Sequence, residues 1–175
     1  MRMNLSRCIL AGLGLALASQ TQAATTGTID STLTLTAACQ VNGSSGTSGV
    51  SFGALDFGTK DALFTTADAQ VIGGGGAMSI LCSAGTVPVI RVRGGLHDGQ
   101  SAGGNRALAD GDGNFVPYDF YTDAGHTQLL AIDDTITLPT SSGVAQTVNL
   151  YGQARGKEGL PAGVYTDTVS VELSF

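Results

Sequence analysis

Tyr165-Thr166-Asp167-Thr168-Val169-Ser170-Val171-Glu172-Leu173-Ser174-Phe175 closes the sequence, and from Val169 onward every odd position is apolar while Ser170, Glu172 and Ser174 are polar. A period of two is the signature of a strand with one buried face. The alternation runs to the final residue, so the expectation is a strand with one edge left without a partner.

The same pattern recurs at the other end. In Thr28–Ala37 the apolar residues Ile29, Leu33, Leu35 and Ala37 fall on odd positions, and Asp30, Thr32, Thr34 and Thr36 on even ones. Ser31 places one small polar group on the apolar face. Further strands are expected at Val50–Phe57, Ala77–Ser83, Val87–Arg93, Val116–Thr122, Thr135–Leu138 and Thr147–Ala154. Glycine-rich connectors separate them, and the chain holds 26 glycines and no tryptophan. Short strands at this spacing, without a helical period anywhere downstream of Ala23, predict an all-β sandwich or barrel of one domain.

Residues 1–23 read as a secretory signal peptide. Arg2 and Arg7 precede the uncharged apolar run Ile9–Ala18, and small polar residues follow up to Ala23. A run of about ten residues suits a signal core and is too short to cross a bilayer. Cleavage is expected after Ala23, with Ala24 the neighbouring alternative. It would lower the eight basic residues to six against fourteen acidic ones and move the net charge from −6 to −8. That balance, with no lysine or arginine cluster, argues against nucleic acid as a partner. Cys8 goes with the signal, and Cys39 and Cys82 remain as an even pair in an exported chain, which predicts one disulfide. In the chain-entropy account, closing such a loop contributes roughly 4 kcal/mol.

Motifs for chemistry are weak. Asp110-Gly111-Asp112-Gly113-Asn114 opens like a calcium loop, but Phe115 and Tyr121 stand where an EF-hand needs glycine and an acid, so a turn is expected. Gly73–Gly76 is followed by no Gly-Lys-Ser/Thr and reads as a turn rather than a phosphate loop. His97 and His126 lie in connectors without the nucleophile context of a triad. Arg91 and Arg93 flank Val92 and read as a solvated face. The expectation is no enzyme, no metal, no cofactor and no small-molecule substrate.

The two end strands carry more weight. An exposed apolar edge is an aggregation hazard unless something covers it. The chain's own N-terminal strand can cover it, giving a closed monomer. A neighbour's strand can cover it instead, and a head-to-tail contact that does not close yields a filament.

Several short motifs in order resemble the spore coat protein U domain family, which includes subunits of archaic chaperone–usher pili. They are Thr26-Gly27-Thr28-Ile29-Asp30, Phe52-Gly53-Ala54-Leu55-Asp56-Phe57-Gly58, Ile80-Leu81-Cys82, Asn105-Arg106-Ala107-Leu108, Tyr118-Asp119-Phe120-Tyr121-Thr122-Asp123, Tyr151-Gly152 and Pro161–Val169. Family members often carry a tryptophan near His126–Ile132, and this chain has none. The resemblance implies an incomplete immunoglobulin-like sandwich (39–175) completed by donor-strand complementation, with residues 24–38 as the donor segment. Ile29, Leu33, Leu35 and Ala37 would be the donor side chains, and Val169, Val171, Leu173 and Phe175 would line the receiving groove. The partners implied are a periplasmic chaperone, an outer-membrane usher and other pilin subunits. The product would be a surface fibre serving adhesion or biofilm formation. The alternative reading is a self-contained exported sandwich that binds a coat component or a carbohydrate.

Overall fold

The computed structural model describes residues 22–175, so the signal reading of residues 1–23 lies almost wholly outside the described residues. Residues up to Thr34 form one unit, and Leu35–Phe175 form a second. The described part of the first unit, residues 22–34, holds neither helix nor strand.

The second unit is all-β. Its strands are β1 (Cys39–Val41), β2 (Ala54–Leu55), β3 (Thr66–Gly73), β4 (Gly76–Cys82), β5 (Val89–Val92), β6 (Arg106–Ala109), β7 (Phe115–Tyr121), β8 (Leu129–Leu130), β9 (Thr135–Thr137), β10 (Gln146–Val148), β11 (Tyr151–Arg155) and β12 (Val171–Ser174). They make two sheets in a sandwich-like arrangement. The larger runs β1-β4-β3-β11-β7-β6, with β10 beside β4, β2 beside β3 and β8 beside β7; the smaller runs β12-β5-β9. All pairs are antiparallel. Both sheets contribute to one core: Met78 and Ile80 from β4, Tyr118 and Phe120 from β7, Ile90 and Val92 from β5.

The expected strands near β4, β5, β7 and β9 differ from the observed ones by one or two residues at their ends, the usual uncertainty of strand termini. Val50–Phe57 contracts to the two residues of β2, because Gly53 has φ +133°, a conformation that breaks an extended run. Thr147–Ala154 divides in two. β10 pairs with β4, and the chain then steps across at Asn149-Leu150 so that β11 pairs with β3 and β7. The Gly73–Gly76 turn is a tight hairpin joining β3 and β4: Gly74 and Gly75 have φ +58° and +98°, the signs a two-residue primed turn demands.

The segment Thr28–Ala37 is not a strand, which corrects the expectation from its alternation. A strand exists only through a ladder, and here the pattern has no partner to pair with.

Candidate functional site

β12 alternates as its sequence demands: Val171 and Leu173 are half-buried, Glu172 and Ser174 exposed. Among the described residues it pairs with β5 alone and so forms the edge of the smaller sheet. Just before it, the Ser170 amide donates to Gly94 O and its carbonyl accepts from the Arg93 amide. Ladder bonds alternate along an antiparallel strand, so Val171, Leu173 and Phe175 direct their amides and carbonyls to the open side. Their apolar side chains sit on the same three residues, which makes this edge both unpaired and apolar.

The edge of the larger sheet lies opposite. β1 pairs only with β4, in the register Cys39↔Cys82, Gln40↔Leu81 and Val41↔Ile80. The expected disulfide joins Cys39 to Cys82, across that ladder. It adds a covalent clamp to a three-residue strand that the ladder with β4 and flanking bonds between Ala38 and Ser83 and between Asn42 and Ser79 also hold. Between β1 and β12 runs a groove of about 430 Å³. Cys39 and Val41 form one wall; Val171, Leu173 and Phe175 form the other; Phe52 and the loop Ser45–Val50 close the remaining side. On the solvent face of β12, Glu172 takes a 2.7 Å ion pair from Arg93, which also reaches Asp133 at 3.1 Å. The hydrogen bond from Arg93, and its charge with that of Arg91, hold the Glu172 carboxyl below its ordinary range.

Three of the four residues assigned to the groove from sequence, Val171, Leu173 and Phe175, line it. Val169 is half-buried against the core, one turn of the alternation before β12 begins, and is not on the groove wall. Ile29, Leu33 and Leu35 are 93%, 83% and 84% exposed, and Ala37 lies at the groove's end. Residues 45–49 of the loop Ser45–Val50 read from sequence only as part of the glycine-rich connector Asn42–Gly49, and Val50 as the start of a strand. Val50 and Phe52 at its close are the signal that it faces apolar surroundings.

Several motif residues between Asn105 and Asp167 make polar contacts elsewhere in the domain. Arg106 is fully buried, with its guanidinium donating to Arg93 O at 3.0 Å and to Val92 O and Leu130 O at 3.4 Å, and lying over the Phe120 ring at 5.1 Å. Burial lowers its pKa from the usual value, and an arginine still keeps its charge. The Tyr118 hydroxyl donates to Asp167 Oδ2 at 2.8 Å, while Asp167 Oδ1 accepts from the Leu96 amide and contacts His97 Nδ1 at 3.3 Å. Burial first, and the Asp167 carboxylate second, raise the Tyr118 hydroxyl far above its ordinary range. Asp119 accepts from both nitrogens of Asn105. Asp110 is occupied within its own turn, accepting from the Asp112 and Asn114 amides and the Asn114 side chain. Each of these side chains has polar partners within the domain, while Arg106 Nε is buried without one.

A family model described as the Spore Coat Protein U domain matches residues 25–172. No curated protein matches the chain. Among solved structures, the chain is similar to a crystal structure of the CsuC–CsuE chaperone–tip adhesion subunit pre-assembly complex from archaic chaperone–usher Csu pili of Acinetobacter baumannii. The identity is 21% and the TM-score 0.47, over 81% of this chain and 40% of that one.

Proposed function

The chain belongs to the spore coat protein U domain family, and from that premise we propose that it is a structural subunit of a surface fibre. It would be exported by its signal peptide, held by a periplasmic chaperone, delivered to an outer-membrane usher and polymerised by donor-strand exchange, in the service of adhesion or biofilm formation. The observation that carries the reading is the groove between β1 and β12, whose strand walls present Val41, Val171, Leu173 and Phe175 and whose β12 edge has no ladder partner among the described residues. Its complement in the same sequence is the alternating segment Thr28–Ala37, whose three large aliphatic residues are exposed.

A neighbour's segment suits the groove better than the chain's own. Filling the groove from within would require the chain to reverse at Thr36-Ala37-Ala38, directly before β1, as a tight hairpin. Such turns favour glycine, asparagine or aspartate, and none is present there. Burying Ile29, Leu33 and Leu35 in a second copy would contribute roughly 5–9 kcal/mol, with ladder bonds to the free amides and carbonyls of β12 in addition.

Deleting residues 24–37 from the exported chain tests the reading. The truncated protein should be unable to extend a polymer, and a peptide of residues 24–38 added in trans should raise its melting temperature. A truncated chain that is fully folded, monomeric and indifferent to the peptide sinks the proposal.

A further inference from the structure

The groove is shorter than the segment proposed to fill it. From Val171 to Phe175 the open wall spans four residue steps, about 14 Å, whereas Ile29 to Ala37 spans eight, about 27 Å. On the β1 side the wall ends at Val41, where the Asn42-Gly43 turn leads into Ser45–Val50. Beyond that loop lies a second hollow of about 420 Å³, lined among others by Asn42, Ile72 and Gly73. Val41, Gly49 and Val50 line both hollows, so the loop is the partition between them.

The loop is tied at its ends and little held between them. Asn42 holds its start: the side chain accepts from the Ser79 amide at 2.9 Å and donates to Ser51 O at 3.0 Å, tying the loop's two ends together. Among the described residues, Ser45–Val50 makes no backbone hydrogen bond to the rest of the domain. Five of its six residues are serine, glycine or threonine, and all five are exposed. Val50, half-buried against the core, is its one apolar anchor.

We infer that Ser45–Val50 is a strap across the donor track, held down by Val50, and that it swings aside to join the two hollows when a donor strand seats along its full length. The inference rests on the donor-strand reading and adds a gate to it. Val50 fills, in the unoccupied subunit, space that the incoming strand takes over. Loosening it therefore speeds entry.

The test uses the chain from Ala24 onward and a labelled peptide of residues 24–38. Val50→Ser should raise the peptide's association rate about fivefold, the value of a half-buried valine's anchoring. An unchanged or slower rate overturns the strap. In a second variant, Val50→Cys, which nearly conserves volume, the thiol should react with a disulfide reagent several times faster after the peptide binds. A thiol shielded by the peptide also overturns it. A peptide that fails to enter the unsubstituted chain at all removes the donor reading itself, whereas entry that ignores Val50 removes only the strap.

Discussion

The two flanks of the sandwich are finished in opposite ways. On one flank the chain covers its own edge: Thr166 bridges Ala109 on β6 with amide–carbonyl bonds of 2.8 and 2.9 Å in both directions, and Asp167 beside it caps the Tyr118 hydroxyl. Inside that flank the buried Arg106 takes the Arg93 carbonyl, which the ladder leaves free because Ser170 bonds to Gly94 instead. On the other flank β1 and β12 face one another across an open groove with no strand between them among the described residues. One ten-residue segment serves both, since Thr166 closes the first edge and β12 forms the second. The lesson is a division of labour: polar contacts within the chain close the first flank, and the second is left open among the described residues.

The contrast is sharpest at the donor segment. Leu33→Asp together with Leu35→Asp should abolish assembly, lowering strand exchange by more than about 100-fold, since two large aliphatic contacts of roughly 1.5–3 kcal/mol each are replaced by charges. The melting temperature of the domain should not change, because both side chains are exposed. Polymer formation followed by light scattering, beside a thermal melt of each variant, checks this. A large fall in melting temperature would show that the segment belongs to its own domain after all.

On the closed flank the order reverses, and stability changes while no partner can help. Arg106→Ala removes a fully buried cation that serves three carbonyls and an aromatic face. The expected loss is about 3–5 kcal/mol, from orphaned acceptors and a cavity. Donor peptide should not restore it beyond the increment it gives the unsubstituted chain. Urea denaturation with and without peptide measures both numbers. A rescue specific to the variant would mean that the two flanks are coupled.

Replacing Cys39 and Cys82 by serine should cost up to roughly 4 kcal/mol, and here rescue is expected. The bond clamps β1 to β4 at the groove wall, and a donor strand would hold the same wall from its other side. The variant's melting temperature should therefore rise more on peptide addition than the unsubstituted chain's does. An equal rise would show that the disulfide braces the domain generally and not the groove.

Legibility in the sequence followed the same division. The open flank announces itself at β12, which obeys a clean period of two: Val171, Leu173 and Phe175 are where the alternation puts them, whereas the three-residue β1 opposite shows no such pattern. The closed flank is hidden by its polar interior. β6 begins with Arg106, which reads as a surface residue and is the largest of the fully buried side chains among the described residues. β3 alternates through Ala67 and Ala69 against Asp68 and Gln70, small side chains whose period is faint, and it too escapes the pattern. Thr28–Ala37 shows the reverse failure, a clear strand pattern that forms no strand and leaves its large aliphatic side chains exposed. Periodicity reports which face wants burial and is silent on which chain will bury it.

The smallest effect concerns the solvent face of the open edge. Glu172 is held below its ordinary range chiefly by the hydrogen bond from Arg93, so the ionised form is favoured in the folded state. Its contribution is fully present above the unfolded carboxyl value, about 4.3, and is lost as the pH falls through the lower folded one. Glu172 is exposed, which keeps the effect slight and sensitive to salt. Acidification from about pH 5 to 3 should lower the melting temperature a little further in the unsubstituted chain than in Glu172→Gln, and molar salt should shrink the difference. Arg93 also bonds the carbonyl of Ser170, so an effect much larger than this would place the hold on β12 in the ion pair rather than in the ladder with β5. Identical acid profiles would leave the ladder and the apolar contacts of Val171 and Leu173 as all that positions the receptive edge.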